Sequence, residues 1–401
     1  MIVGGGVAAL EALMALRGLA EDRVAIELVS PTPEFTYRPL AVAEPFGLGE
    51  ARRYDLVRIA ADHGAALHLA GIQSVQPDDR QIETWDGRAL PYEVLLVAIG
   101  ARPVASIPGA VTIAGPGYTG RFRTVLRELG ERRIRRVVFA VPAASSWPLP
   151  LYELALMTAA YVTQRGLRKV ELSLVTPETE PLELFGAAAS AAVRGLLDQR
   201  GVALHTGHYA TEFRDQELVL APKGGLAAER AVSLPRLRGP EMPGLPCDAE
   251  GFIPVDLHGL VQGETDVYAA GDATNSPIKQ GGVAAQQADA AAEAIAARAG
   301  VPLEPQPFRP VVRGLLLTGS SPRYMRAEVS GGRGGRWEVS EHALWWPPSK
   351  IAGHWLAPYL ALRHEELEEA PAGLPVEVSV EPRAVRRRGI IVPGAGLRVV
   401  K

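Results

Sequence analysis

The sequence predicts an α/β protein with two Rossmann-like, doubly wound domains, the second inserted in the first, and a C-terminal α+β portion. Three stretches carry this expectation. The chain opens with a short apolar run, Met1 to Val3, followed by the turn Gly4-Gly5-Gly6-Val7-Ala8-Ala9. A second apolar run, Val94 to Ala98, continues into Ile99-Gly100-Ala101-Arg102-Pro103. A third, Val267 to Ala270, stops at Gly271-Asp272 and leads through a loop into an Ala-rich helix from about Gly282. Strands that end on glycine turns are units of open parallel sheets, which bind ligands at the carboxyl ends of their strands.

Composition narrows the function classes. With 401 residues the chain is long enough for two or three domains. It is 47% hydrophobic and 22% charged, with a net charge of −3, which gives no reason to expect a nucleic-acid partner. Cys247 is the one cysteine, so an internal disulfide, a CxxC redox pair and a Cys-based zinc site are all excluded. The eight histidines show no ligand spacing, and no metal site is expected. No run of eighteen apolar residues is present, so no membrane-spanning helix is expected. The N-terminus lacks a basic region and carries Glu11 early, unlike a signal peptide. The cytoplasm is therefore the expected location, with contact at the inner face of the membrane as an option.

The opening turn fits the dinucleotide pattern GxGxxA through Gly4, Gly6 and Ala9. The first glycine permits the sharp turn, the second lets backbone approach a pyrophosphate, and the third small residue lets helix pack on strand. A helix from Ala8 to Leu19 follows. The opening strand is short by roughly two or three residues, consistent with a start upstream of Met1. The next strand, Val24 to Val29, ends at Ser30, where dinucleotide sites usually place an acid on the ribose. Pro33 to Gly47 reads as a loop of aromatics and prolines, with Arg38-Pro39 placed to lie against a ring system. Short strands are expected between Ala66 and Leu90.

GGGVAA, YEVLLVAIGARP (Tyr92 to Pro103) and TDVYAAGDATN (Thr265 to Asn275) follow one another in an order and spacing that resembles the pyridine nucleotide-disulfide oxidoreductase superfamily of flavoproteins. FTYRPLAVAEPFG and GGVAAQQA resemble segments of its sulfide:quinone oxidoreductase and type II NADH dehydrogenase branches. The resemblance implies bound FAD. It would place Gly4, Gly6 and Ala9 at the pyrophosphate, Ser30 near the adenosine ribose and Gly100 beside the adenine half. Gly271 and Asp272 would meet the ribityl and phosphate region. Arg38, Pro39 and Gln280 would lie by the flavin ring, with the helix after Lys279 aimed at its pyrimidine edge. A small-molecule electron donor and a small acceptor, a quinone among the options, are the implied partners.

Domain expectations follow the same logic: 1–116 with 240–305 for FAD, 117–239 for an inserted NAD(P)-type domain, and 306–401 for an interface or membrane-surface portion. In the inserted part, Arg135 to Val141 and Val170 to Val175 read as strands around a helix from Leu151 to Gln164. The strand-to-helix turn, VPAASSWPLPLYE (Val141 to Glu153), has no glycine and contains Pro142, Pro148 and Pro150. Prolines remove N–H donors, and Trp147 adds bulk where phosphate would lie. The next strand ends at Thr176-Pro177 with no acid or arginine for a ribose. Ordinary NAD(P)H binding is not expected, and a displaced nicotinamide using Ser145 and Ser146 is the alternative. A persulfide relay is not expected either, because Cys247 has no partner.

Two residues are candidates for catalysis. Glu153 could relay a proton to the flavin N5 or to a quinone, or could simply stabilise a helix start. Lys279 could neutralise N1/O2 of reduced flavin, or could be a solvated loop lysine. Arg313 to Leu317 and Arg326 to Ser330 read as strands, and Trp345 to Arg363 combines tryptophans with a helix-prone stretch. That stretch suits packing on the flavin domain or a homodimer interface, or else a membrane surface. A short strand pair is expected after Pro371. The functional expectation is an FAD-dependent oxidoreductase. A dehydrogenase with non-standard nicotinamide binding and a non-catalytic flavin scaffold are the alternatives.

Overall fold

The computed structural model describes residues 1–329, 336–363 and 377–378. Its first sheet has five parallel strands in the order Val267–Ala269, Leu95–Val97, Ile2–Val3, Glu27–Ser30, Ala66–Leu69. The central strands are apolar on both faces, as parallel strands covered on both sides require. Helix α1 (Val7–Ala20) follows the first strand, and α2 (Leu56–Asp62) precedes the edge strand.

The second sheet is also parallel, in the order Val111–Thr112, Arg230–Ser233, Arg136–Ala140, Glu171–Val175, Val202–His205. All of it lies in sequence between the fourth and fifth strands of the first sheet. Helices α3 (Thr119–Gly130), α4 (Leu149–Gln164) and α5 (Gly186–Gln199) belong to it. The chain then returns to the first sheet and continues into α6 (Gly281–Arg298), which packs along α1. Small residues make this close approach possible: Ala8 and Ala284 both stand against Gly271.

An antiparallel sheet, Val311–Leu316, Arg323–Glu328 and Trp337–Ser340, begins the C-terminal part. Helix α7 (Leu356–Arg363) then lies on α1. Trp345 is fully buried, edge-on to Tyr324 at 5.2 Å, with its indole N–H donated to the Ser349 carbonyl at 3.0 Å. The tryptophan-rich stretch thus packs on the protein itself. Of the tail after Pro371 only Glu377–Val378 is described, a strand parallel to Trp345–Trp346; Arg386 to Arg388 lie outside the described residues.

The segment expected to be a loop from Pro33 is partly a strand. Glu34–Tyr37 pairs antiparallel with Arg52–Asp55, and a 3-10 turn spans Arg38–Val42. The reason is alternation: Phe35 and Tyr37 point into the core, and Phe35 stacks on Tyr54 at 5.8 Å.

Candidate cofactor and substrate site

The first strand-to-helix turn is shaped by contacts at two glycines. Gly4 has φ +130°, and a Cβ there would lie 2.2 Å from the Ala98 carbonyl oxygen. Only glycine fits. Gly6 is the N-cap of α1, and a Cβ there would meet nothing within 4 Å. The space before α1 is therefore open. The first intrahelical bond runs from the Leu10 N–H to the Gly6 carbonyl at 3.0 Å, which leaves the preceding N–H groups pointing outward. Ala9 is fully buried beneath them. Gly100 turns at φ +73° with its Cβ direction also open. Ser30 lies against Gly5, but its hydroxyl closes its own turn, donating to the Thr32 carbonyl at 2.9 Å.

At the far end of the same sheet edge stands Asp272. Its carboxylate accepts no hydrogen bond among the described residues. Burial pushes its pKa up, against the opposing charges of Lys279 and Arg38. A half-buried acceptor without a donor, on an edge with an open helix start, is the arrangement a polyhydroxylated dinucleotide satisfies. The residues present fit FAD.

Lys279 is not a solvated loop lysine. It is 7% exposed, donates to the Thr274 carbonyl and lies 3.7 Å above the Phe252 ring. Burial lowers its pKa to about 8, with Asp272 and Asp248 opposing. Gln280 does something the sequence did not suggest. Its Oε1 accepts the Val283 N–H at 2.9 Å and its amide donates to the Arg313 carbonyl at 3.3 Å, so it caps α6. One of the helix N–H groups expected to face a ligand is thus already bound. Arg38, Pro39 and Lys279 share a cavity of about 210 Å³ with Ser145, Ser146 and Trp147.

Glu153 sits in α4, fully buried. Both carboxylate oxygens receive the Lys350 ammonium, at 2.6 and 2.7 Å, and Oε1 also accepts the Leu317 N–H at 2.8 Å. Burial raises the Glu153 pKa, and the Lys350 charge works against that rise. Lys350 also lines a second cavity of about 180 Å³ that is mostly apolar, with Tyr37, Leu40, Tyr54, Leu356 and Leu360 among its walls. Tyr37 accepts the Ile351 N–H at 3.1 Å, and burial pushes its phenol up to about 12. Sequence reasoning missed Lys350 as a site residue. The available signal was rarity: the chain has five lysines, and Lys279 and Lys350 have buried side chains.

The second strand-to-helix turn is built differently. Ala144 takes φ +55°, a conformation glycine would hold more easily. Helix α4 starts after Pro148 with Pro150 in its first turn, and Trp147 packs edge-on against Phe185 at 5.9 Å. An acid does exist just beyond Thr176, a point the sequence reading overlooked. Glu178 accepts from the Tyr152 hydroxyl at 2.7 Å and the Thr176 hydroxyl at 2.8 Å, so it is turned inward.

Comparison with known proteins agrees with this layout. The family model for pyridine nucleotide-disulphide oxidoreductase matches residues 153–292. Sulfide-quinone reductase of Aquifex aeolicus (strain VF5) is 25% identical over 260 residues, covering 60% of this chain and 59% of that protein. The match therefore spans less than two thirds of that relative. The solved sulfide:quinone oxidoreductase of Aquifex aeolicus superposes with a TM-score of 0.77 at 20% identity, covering 85% of this chain and 86% of the other. The Plasmodium falciparum NDH2, solved in complex with NADH, gives 0.56 at 16% identity, covering 68% and 63%. Fold, strand-end glycines and sequence matches together make the chain similar to the pyridine nucleotide-disulphide oxidoreductase family.

Proposed function

We propose that the protein is an FAD-dependent oxidoreductase that passes electrons from a small-molecule donor to a quinone-class acceptor. Gly4, Gly6 and Ala9 would hold the pyrophosphate, and Ser30 and Gly100 would flank the adenosine end. Gly271 would bring Asp272 up to accept ribityl hydroxyls, while Arg38, Pro39, Lys279 and Gln280 would lie beside the ring. When bound, FAD supplies the capacity to take two electrons from one partner and hand them to another.

The observation that carries this reading is the buried Glu153–Lys350 pair between two cavities. Helix α4 lines the cavity of Arg38 and Lys279 through Pro150 and Leu154, and Lys350 lines the other. A quinone reduced by two electrons takes up two protons. The Lys350 ammonium can donate one at the wall of the apolar cavity and be reprotonated through Glu153 with a proton drawn from solvent, and a second pass of the same relay supplies the other. The apolar walls exclude water from that transfer. A quinone-class acceptor would call for contact with a membrane surface; among the described residues no helix is long and apolar enough to cross one.

The donor is neither sulfide through a persulfide relay nor a nicotinamide bound in the ordinary way. The lone Cys247 is exposed and lines neither cavity, and the second turn offers prolines where a pyrophosphate needs N–H groups. The test begins with the absorbance spectrum of purified protein, followed by anaerobic addition of NADH, NADPH and sulfide in turn. Protein reduced chemically is then mixed with a short-chain quinone. Lys350→Met should keep its flavin but slow reoxidation on the order of a hundredfold. Reduced wild type that reoxidises no faster with quinone than without it would overturn the acceptor assignment.

A further inference from the structure

Helix α7 begins against a buried carboxylate that belongs to a different helix. Glu11 on α1 is fully buried; its Oε1 accepts the Trp355 N–H at 2.6 Å and its Oε2 the Leu356 N–H at 2.9 Å. The fit is close on both sides. A Cβ on Gly353 would lie 2.3 Å from Glu11 Oε2, and one on Gly18 would lie 2.3 Å from the Trp355 ring. Glu11, from a helix distant in the same chain, therefore caps the start of α7.

A second, half-buried carboxyl faces the first. Asp289 on α6, the helix packed along α1, is close enough to Glu11 for the two carboxyls to interact, and its Oδ1 is buried with no partner. Two carboxylates in contact away from water cannot both be ionised. Both Glu11 oxygens already accept N–H groups, so the proton falls to Asp289, which can donate it to Glu11.

The surrounding charges do not remove this constraint. Glu293, one turn further along α6, adds negative charge near Asp289, and His354 before α7 faces Glu293. Arg17 on α1 is turned to the His63 and Gly64 carbonyls. Arg363 pairs with Asp62 at the far end of α7, where Tyr359 donates to Asp62 at 2.7 Å and His63 packs edge-on against its ring.

We propose that Glu11 and Asp289 share one proton in a carboxyl pair that clamps the start of α7, and that loss of this proton releases the α7 wall of the apolar cavity. The consequence for function rests on that cavity being the acceptor site, since α7 supplies Leu356, Ala357 and Leu360 to it. Glu11 is then a positioning residue for the acceptor, and Asp289 is the group that titrates. Burial raises Asp289 well above the usual carboxylate range and Glu11 to about 7. The folded pair thus holds more protons than the unfolded chain, so its contribution to stability falls as pH rises.

The test is hydrogen–deuterium exchange of amides in residues 353–361 across a pH series, corrected for intrinsic exchange, on flavin-loaded protein. Wild type should lose protection with rising pH by about tenfold to a hundredfold, equivalent to one charge-assisted hydrogen bond. Asp289→Asn keeps a neutral donor to Glu11 and should hold its protection across the range. Glu11→Gln leaves one N–H without an acceptor and should be less protected throughout. An Asp289→Asn variant that tracks wild type overturns the proposal. Should that variant not fold, infrared spectra of wild type decide the matter: a protonated-carboxyl band that titrates away with pH is expected, and its absence overturns the proposal. These readouts need no acceptor, so a failed quinone assay would not be mistaken for failure of the clamp.

Discussion

The two parallel sheets present the same topological corner and fill it in opposite ways. At the first, Gly4 yields to the Ala98 carbonyl, Gly6 leaves the space before α1 open, and the helix start is bare. At the second, Ala144 is held at φ +55°, Pro148 and Pro150 open α4, and Trp147 lies against Phe185. One corner is emptied of side chains to admit a phosphate; the other is packed with them. A Rossmann-like sheet thus sets where a nucleotide could bind, while the turn decides whether one does.

Predictions that strike at this contrast can be ordered by size. The largest effect is expected at the open corner. Gly4→Ala forces a Cβ onto a backbone oxygen and should cost several kcal/mol, at the upper end for one substitution. Soluble yield and flavin content should both collapse. Asp272→Ala should fold yet lose most of its FAD, because one or two charge-assisted bonds of about 1.5–3 kcal/mol each disappear. Yellow, stoichiometric Asp272→Ala protein would contradict the assignment.

The next effect concerns the closed corner. Loss of several phosphate bonds of about 1.5–3 kcal/mol each should weaken nicotinamide binding by several orders of magnitude. Stopped-flow reduction by NADH or NADPH should be slow and show no saturation at about millimolar concentration. Saturation in the micromolar range would mean that the two corners are functionally alike after all.

A smaller effect lies at Lys279, beside the open corner. Its pKa falls from 10.5 to about 8 on folding, so the unfolded chain binds more protons between those values. In flavin-free protein its contribution makes stability rise with pH across that window, and Lys279→Met should flatten the rise in denaturant titrations. The smallest effect is at Cys247, exposed and away from both cavities: Cys247→Ser should change neither stability nor flavin reduction.

Much of the open corner was legible because its requirements are local. A positive-φ glycine, a small residue under a helix and an acid at a strand end all fall within a few residues of sequence. The Glu34–Tyr37 strand was missed because its partner, Arg52–Asp55, lies beyond two prolines and two 3-10 turns, so Pro39 and Pro45 read as loop. The capping role of Gln280 was not legible because nothing local reveals that its amide reaches both Val283 and Arg313.

The sequence by itself determined the α/β class, the order of the strand-end turns and the absence of paired cysteines, since each depends on neighbouring residues or on counting. Only the tertiary structure decided the chemistry of the buried groups. Glu153 meets Lys350 across 197 positions, and Glu11 meets Leu356 across 345. Ionised groups can be buried only with partners, and those partners are chosen by how α4, α6 and α7 pack rather than by spacing along the chain.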